Sequence, residues 1–595
     1  MKPILKKTIG LIIIIIVMNC LITGCKNDRP LQDKNNSEKT EKVHEELTIS
    51  SFNNLITEDF ISAFHKKYPE VNLKVISYAG VNGSGYALYS LKNGDIPDIY
   101  ISSQNFDKDA QQKYLLDLSN YEFINNYSGT LLDSLNIDGG IYLLPSGYTL
   151  TGIYYNKTIL KENNWNVPKS FDELTELSEK IEAAGYKTMG NGMSLDGYPF
   201  NYFFNLGNTV YFATPEGTEW KKSFPEGKTT AAGNGAFRTA VEYFYQWVEK
   251  GFITSEHTRT EEFYEGKCVF FLCLGLDKYE NTASNGKTYQ YGTIPWLSKD
   301  GSNNMLTRNV SEYMGIHKSL ADKGNEQKLE DALKLLNYVS TPEGQQALVS
   351  GNRQYMSPLN GSVIPEDSPY LEIEDLVRNG RTVPLLYVGW EELIVPIAQD
   401  IKQLINGELD VDGLIDAFDH TNNGLQNGSS DDFHAEAKKT LTMKETAKLV
   451  AIAQGKAVNA DCAMISLNEY HKDNKKNNQG LGWYIYKGDI STDIINMIRP
   501  RADTISVLEM TGAQIKAMQK TGFDLDKDGN PYEYLLFVKQ DRELLNDSVY
   551  KLAISTGELT EEMRLYATET EYSPADAIKD YLKELGRVSD NVLWD

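Results

Sequence analysis

The order of strand-like and helix-like segments near the amino terminus predicts a layered α/β fold. Leu47-Thr-Ile-Ser-Ser-Phe alternates between apolar and polar residues as a strand does. A helix-like segment follows, with Thr57 placed to cap it and Pro69 placed to end it. Residues 71–75 alternate again and predict the next strand. A strand, a helix and a strand in close succession indicate a largely parallel sheet covered by helices.

Capping residues locate two further helix starts. Ser170-Phe-Asp-Glu173 has the spacing of a capping box, and Gly185 is placed to stop the helix that follows. Thr341 is followed by proline, a residue that favours the first position of a helix.

Gly83 and Gly85 lack the remaining pattern of a phosphate-binding loop, and we interpret them as part of a mobile loop.

Residues 1–24 are predicted to be a secretory signal. Lysines stand at positions 2, 6 and 7, and an apolar run from Ile9 to Ile22 follows. The run is shorter than the span of about 20 residues that crosses a bilayer comfortably. The next residues, Ile22-Thr-Gly-Cys25, resemble the lipobox of bacterial lipoproteins. The resemblance implies that Cys25 is diacylated and holds the chain at the extracytoplasmic face of the bacterial cell membrane.

Composition bounds the rest of the chain. Residues 25–46 are polar and charged after the cysteine, and are predicted to form a flexible tether. With 595 residues, of which 41% are hydrophobic, the chain can bury enough core for two or three domains. Its formal net charge of −24 argues against nucleic acid as a partner, because nucleic acid requires a basic face. Cys268 and Cys273 lie in one apolar run, which favours buried thiols over a disulfide or a metal site.

The segment Leu144-Pro-Ser-Gly-Tyr-Thr-Leu-Thr-Gly-Ile-Tyr-Tyr-Asn-Lys157 resembles the family 1 extracellular solute-binding proteins of ABC importers. Further passages that resemble this family in the same order are Gly94–Tyr100, Asn166–Glu173, Ser340–Ala347 and Asn406–Phe418. The resemblance implies a two-lobed, periplasmic-binding-protein-like type II fold over 47–420. It places Leu47 to about Ile153, and about Asn309 to Ser368, in one lobe, with a small solute bound in the cleft.

The family implies reversible binding without catalysis, a sugar or oligosaccharide as the solute, and ABC permease subunits as partners. Sugar sites combine aromatic rings with short polar groups, and ligands of α/β folds meet the carboxyl ends of strands. The candidate ligand residues are Phe52, Asn53, Ser102, Ser103, Tyr148, Tyr202 and Trp390. For each aromatic ring, core packing or surface exposure stays open as the alternative.

A second module follows a linker predicted at 421–438. Passages of residues 439–595 resemble the C-terminal domain of 5′-nucleotidases, which implies a smaller α/β (α+β) domain. Where that family has Asn-x-Gly-Gly-x-Arg, this chain has Ser466-Leu-Asn-Glu-Tyr-His-Lys472. Where it has a turn whose phenylalanine stacks on a base, this chain has Arg499-Pro-Arg-Ala-Asp503. Both departures argue against nucleoside binding in the manner of that family.

The catalytic half of a nucleotidase is missing from the sequence. Two-metal phosphoesterases need grouped His, Asp and Asn ligands, whereas the histidines here are scattered. We therefore expect no enzymatic activity. A cell-surface nucleotide hydrolase or nucleotide-binding protein stays open as an alternative, as does an adhesion or sensing protein.

One motif suggests a metal. Asp524, Asp526 and Asp528 match the first half of a calcium loop, but the twelfth position is Leu535 rather than a bidentate Glu. A surface turn with solvated carboxylates and a weak Ca²⁺ site both stay open. We expect no other cofactor.

Overall fold

The structure is a computed structural model in which Leu47 begins the first strand. The described residues are 44–51, 55–77, 83–102, 107–193, 197–310, 312–349, 355–364, 368, 370–385, 389–390, 393–426, 433, 435–466, 484–499, 503–522, 533–588 and 594. The signal and lipobox cysteine predicted at 1–25 lie outside them. None of the helices in these ranges combines the length and apolar character that crossing a membrane requires.

In chain order the strands are β1 (Leu47–Ser51), β2 (Leu73–Ser77), β3 (Ile99–Ser102), β4 (Leu144–Pro145), β5 (Tyr148–Thr151), β6 (Ile153–Asn156), β7 (Lys187–Asn191), β8 (Cys268–Leu272), β9 (Glu280–Thr282), β10 (Thr288–Ile294), β11 (Leu306–Val310), β12 (Tyr313–Ile316), β13 (Thr382–Pro384), β14 (Ala435–Ala437), β15 (Cys462–Ile465), β16 (Gly488–Ile490), β17 (Ile505–Thr511), β18 (Leu535–Val538), β19 (Val549–Ser555), β20 (Ala567–Glu569) and β21 (Arg587–Val588).

The α-helices are α1 (Glu58–Lys67), α2 (Gly83–Asn93), α3 (Lys108–Tyr114), α4 (Gly129–Asp133), α5 (Lys157–Glu162), α6 (Phe171–Ala183), α7 (Tyr198–Gly207), α8 (Pro215–Ser223), α9 (Gly235–Glu249), α10 (Thr260–Tyr264), α11 (Glu326–Val339), α12 (Pro342–Leu348), α13 (Glu374–Arg378), α14 (Ile394–Ile405), α15 (Val411–Gln426), α16 (Met443–Ala457), α17 (Thr492–Ile498), α18 (Gly512–Gln519), α19 (Glu561–Arg564) and α20 (Pro574–Leu585). A π-helical turn at Asn208–Phe212 continues α7.

The first lobe consists of the sheet β2-β1-β3-β12-β4 with helices α1–α3, α11 and α12. Strands β1, β2 and β3 are parallel, whereas β12 runs antiparallel to β3 and β4. The predicted parallel sheet is therefore present at one side and becomes antiparallel at the other. Thr57 caps α1 as predicted, since its hydroxyl accepts from Phe60 N at 3.1 Å.

The second lobe consists of the sheet β7-β8-β6-β10-β9 with helices α5–α9, α14 and α15. Its core is a continuous aromatic cluster. Ser170 caps α6 as predicted, and Gly185 follows the helix at φ +84°. The predicted reciprocal half of the capping box differs, because the Glu173 carboxylate accepts from Lys169 N, at 2.7 Å, rather than from Ser170 N.

A third, three-stranded sheet, β13-β11-β5, joins the lobes. Strand β5 follows β4 of the first lobe and leads directly into β6 of the second, and β11 leads from the second-lobe strand β10 to β12 of the first. The connecting sheet therefore lies where the chain crosses between the two lobes. A hinge motion would have to pass through these crossings.

Residues 435–588 form a separate module with two sheets, β16-β14-β21 and β18-β15-β19-β17-β20, and helices α16–α20. Thr442 and Glu445 form a capping box at the start of α16, because each side chain accepts from the other's backbone N–H. The module has apolar clusters of its own. The described part of this module is thus an α/β unit, as the sequence predicts.

The C-terminal module docks on helix α2 of the first lobe through tyrosines. The Tyr486 hydroxyl donates to the Asp95 carboxylate at 2.9 Å and lies 3.2 Å from Ser90 Oγ. The Tyr89 hydroxyl accepts from Tyr486 N at 2.9 Å, and the two rings meet edge to face at 4.9 Å. Tyr486 is buried. The contact therefore ties the module to the first lobe by polar and aromatic interactions together.

Replacing Tyr486 with phenylalanine should weaken this docking. The change keeps the ring but leaves the buried Ser90 hydroxyl without its phenol partner, at a cost of about 1–3 kcal/mol, and removes a hydrogen bond to the exposed Asp95 carboxylate. Native-state hydrogen exchange of α2 should become faster. Tyr572→Phe is the matched control, since its exposed hydroxyl donates to exposed Asp580. Equal exchange of α2 in both variants would show that the docking does not depend on Tyr486.

Three local predictions from composition differ from the structure. Helix α15 continues to Gln426, into the predicted linker 421–438, because buried Asn422 donates to Phe224 O at 2.6 Å. In the predicted tether, His44 N donates to Glu70 O, and the His44 imidazole lies 2.9 Å from Asp331. The interpretation of Gly83 as part of a mobile loop is wrong, since α2 begins there. In the first two cases, contacts distant in sequence order a segment that its composition predicts to be flexible. In the third case, the glycine is the first residue of a helix.

Candidate functional site

The described part of the candidate site lies at the carboxyl end of β3. Ser102 ends this strand, is 2% exposed, and pairs with Tyr313 of β12. Ser50 of β1 holds β3 in place, because its hydroxyl accepts from Ile101 N at 2.7 Å. The candidates Phe52, Asn53 and Ser103 lie outside the described residues.

Tyr148 lies next to this strand end. It begins β5, pairs with Val310 of β11, and exchanges backbone hydrogen bonds with Met356. Its ring belongs to the same apolar cluster as that of Tyr313. Burial raises the pKa of Tyr148, and the neighbouring guanidinium of Arg308 opposes the rise. The structure thus brings two predicted residues, Ser102 and Tyr148, together around Tyr313.

Arg308 is a residue of this site that the sequence reasoning missed. It occupies the middle of β11, opposite Leu150, and is 7% exposed. Its Nη1 donates to Thr130 Oγ1 at 3.2 Å, whereas its Nε has no acceptor among the described residues. Burial lowers the pKa of Arg308, but an arginine in a protein keeps its charge. A buried cation therefore stands beside Tyr148 and Tyr313.

Tyr202 lies in the core of the second lobe, away from this group. Its ring is fully buried. Its hydroxyl lies 2.8 Å from Leu272 O and 3.2 Å from Gly192 O. The hydroxyl therefore finds its hydrogen-bond acceptors within the protein. These contacts give Tyr202 a packing role, and its predicted contact with a ligand stays a prediction.

Trp390 is also enclosed by the second lobe. Its ring is 1% exposed and packs against Phe204 and Phe224, with centroids 5.1 and 5.3 Å away. Its Nε1 donates to Lys221 O at 2.8 Å. The ring and its single donor are therefore satisfied by the core. As for Tyr202, ligand contact stays a prediction.

Lys221, on α8 beside Trp390, predicts a pH dependence. Burial lowers its pKa to about 8, while the unfolded chain holds this proton up to about pH 10.5. Between these values the unfolded state binds more protons, so the free energy of unfolding rises with pH. Lys221→Met should therefore stabilise the protein most below pH 8, and this gain should shrink between pH 8 and 10.5.

Denaturant unfolding at stepped pH measures the difference between the two proteins. Subtracting the variant's free energy of unfolding from that of the parent protein at each pH removes the contribution of all other titrating groups. Lys222→Met, at the exposed next position, is the control. A gain for Lys221→Met that stays constant across this pH window would contradict the prediction.

Cys268, the first residue of β8, and Cys273, which directly follows this strand, are buried thiols, as the apolar run predicts. Cys268 and Cys273 are free, and burial raises the pKa of Cys268 to about 12. The candidate calcium ligands Asp524, Asp526 and Asp528 lie outside the described residues. Within those residues, no three His, Cys, Asp or Glu side chains are grouped as metal ligands.

Known solved structures share the fold. A family 1 extracellular solute-binding protein from Bifidobacterium longum subsp. infantis superposes with a TM-score of 0.52 at 17% identity, over 63% of this chain and 98% of that chain. RafE of Streptococcus pneumoniae, in its apo form, superposes with a TM-score of 0.51 at 16% identity, over 65% of this chain and 99% of that chain. At such identities the likeness concerns the fold alone.

Two curated relatives match by sequence. The multiple sugar-binding protein of Streptococcus mutans is 26% identical over 200 residues, which is 32% of this chain and 46% of that protein. An ABC transporter extracellular-binding protein of Pyrococcus horikoshii is 26% identical over 127 residues, 21% of this chain and 30% of that protein. The match thus spans less than half the length of either relative. The model of the bacterial extracellular solute-binding protein family matches residues 59–370, more than half of the chain, and the chain therefore belongs to that family.

Proposed function

We propose that residues 47–420 capture a sugar or oligosaccharide between the two lobes and present it to an ABC permease. The observation that carries this proposal is the group formed by Ser102, at a strand end of the first lobe, with Tyr148 and Arg308 of the sheet that joins the lobes. Aromatic rings beside a few polar groups suit saccharides. The relative named for multiple sugar binding supports a sugar as the solute.

We propose further that Cys25 anchors the chain by lipid at the extracytoplasmic face of the membrane. His44 is the first described residue, and its contacts hold it to the first lobe. The intervening residues 26–43 would then be the tether, with a root-mean-square reach of about 20–25 Å if they are a flexible coil. Cys25→Ser should abolish the incorporation of labelled palmitate into the protein, and label that persists in the variant would contradict the anchor.

The proposal for residues 439–595 is a non-catalytic module of the 5′-nucleotidase C-terminal type, following a linker within 421–438. The sequence supports the loss of nucleoside binding, because Arg501 stands where the family's turn has its stacking phenylalanine, and an arginine offers no aromatic ring to a base. Arg501 lies outside the described residues. Arg499, at the start of this segment, is buried, and its Nη1 lies 2.5 Å from the buried Glu558 carboxylate.

A ligand panel read by thermal shift tests the proposed function. A solute at 100 times its Kd adds about 2.7 kcal/mol to the free energy of unfolding. We expect at least one saccharide to raise the melting temperature, and peptides and nucleosides to leave it unchanged. If no saccharide shifts it while AMP releases phosphate in the presence of a divalent metal, the nucleotide hydrolase replaces this proposal.

A further inference from the structure

The two faces of strand β11 differ in chemistry. Leu306, Arg308 and Val310 alternate onto one face, and the two apolar members belong to the cluster that contains Tyr148 and Tyr313. Thr307 belongs to the opposite face, where its hydroxyl donates to Asn205 Oδ1 at 2.8 Å. Arg308 is therefore a charge placed in the middle of an otherwise apolar face.

Among the residues that the structure describes, none compensates the charge of Arg308. Its hydrogen-bond partner, the Thr130 hydroxyl, is neutral. Burial raises the pKa of both Tyr148 and Tyr313, so both phenols stay neutral at physiological pH. Within the described residues, no acidic side chain contributes to its electrostatic surroundings. Arg308 differs in this from Arg499, the buried arginine that is paired with Glu558.

Burial of an unpaired cation is costly, and lysine or histidine would shed its proton in such a place. Arginine cannot, so the cost persists in the unliganded protein. A ligand that supplies the missing negative charge would recover it, because a guanidinium binds a carboxylate or a phosphate through two parallel hydrogen bonds. A neutral hydroxyl could occupy Nε but would leave the charge unbalanced.

The position of Arg308 places it within reach of a bound solute. Ligands of α/β folds lie at the carboxyl ends of parallel strands. Ser102 is the carboxyl end of β3, Tyr313 pairs with it, and the charge of Arg308 acts on Tyr313. The arginine thus lies one side chain away from the strand end where the proposed site is located.

We propose that Arg308 binds an anionic group, a carboxylate or a phosphate, on the solute, so that this protein selects acidic saccharides. The inference rests on the proposed function and narrows its substrate class. The formal net charge of −24 makes such a cation more necessary, because the field of the whole protein opposes the approach of an anion.

Matched saccharides test the proposal on the unaltered full chain. Trigalacturonate is compared with its methyl ester, sialyllactose with lactose, and glucose 6-phosphate with glucose, by calorimetric titration. At least one acidic member should bind about tenfold or more tightly than its neutral partner, which corresponds to about 1.4 kcal/mol. Tighter binding of trigalacturonate or sialyllactose than of its neutral partner indicates that the site binds a carboxylate. Tighter binding of glucose 6-phosphate than of glucose indicates that it binds a phosphate.

Two variants separate ligand binding from folding. Arg308→Met should abolish the preference for the acidic member, while the melting temperature without ligand stays the same or rises, since an uncompensated charge has been removed. Arg308→Lys keeps the charge without the planar fork and should retain part of the preference. An arginine with a purely structural role would instead lower the melting temperature and leave the preference unchanged.

The outcomes distinguish the two proposals. If neutral saccharides bind as tightly as their acidic partners, the assignment of Arg308 is wrong and the sugar-binding function stands. If no saccharide of either kind binds, both proposals fail. A preference for acidic members that persists in Arg308→Met would also overturn the assignment.

Discussion

Replacing Trp390 with alanine is expected to lower the free energy of unfolding by about 3–5 kcal/mol, the range measured for large aromatic residues in cores. The ring is 1% exposed and touches Phe200, Phe204 and Phe224, so its removal opens a cavity among aromatic side chains that cannot all close on it. The loss should appear in denaturant-induced unfolding and as a lower melting temperature of the second lobe.

Trp390→Phe separates packing from ligand contact. It keeps an aromatic ring in the cluster and loses the hydrogen bond to Lys221 O, at a cost of about 1–3 kcal/mol. Its solute affinity should equal that of the parent protein if the ring belongs to the core. A folded Trp390→Phe protein that no longer binds saccharide would instead place Trp390 in the site, as the sequence suggests.

Glu558→Gln is expected to destabilise the C-terminal module by up to about 3–5 kcal/mol, because it removes the nearer carboxylate partner of buried Arg499 and leaves only that of Asp503, 3.9 Å away. The Arg499 and Glu558 side chains are at most 2% exposed. The second Glu558 oxygen also accepts from Ser466 N at 2.9 Å. Faster hydrogen exchange in β17 and β19, which lie beside this pair, would locate the loss in the module.

Glu436→Gln provides the control for this change, since the exposed Glu436 carboxylate pairs with Lys438 at 2.6 Å. An exposed ion pair contributes less than about 1 kcal/mol. A double variant, Arg499→Met with Glu558→Leu, should recover much of the lost stability, because the buried pair is removed. The remaining Asp503 carboxylate keeps its hydrogen bonds from Ser555 and Gly557. If Glu558→Gln and Glu436→Gln have equal effects, the buried pair does not stabilise the module.

The sequence predicts helix boundaries well where local chemistry decides them. Thr57, Ser170 and Thr341 all cap helices at the predicted positions, because a hydroxyl bonds to a backbone N–H three residues away. The end of α15 depends instead on Asn422 bonding to Phe224 O, a contact distant in sequence. No local pattern could distinguish that helix from the linker that its composition suggests.

The candidate site is less predictable for a related reason. Tyr202 and Trp390 are aromatic in regions where the family places cleft aromatics, but the same residue type fills the core of the second lobe. Arg308 was overlooked, although a signal for it exists. One face of a strand carries Leu306, Arg308 and Val310 in alternation. A charge between two buried apolar residues is costly unless it is paired, so the pattern indicates a binding partner.

The central claim is that the chain captures a saccharide without transforming it, and equilibrium binding tests it most directly. The full chain is titrated with an oligosaccharide panel while its tryptophan fluorescence is followed, and the recovered solute is analysed chemically. Saturable binding of one saccharide per chain, with the solute recovered unchanged, is the predicted result. Absence of saturation with every saccharide, or recovery of a cleaved product, would contradict the account.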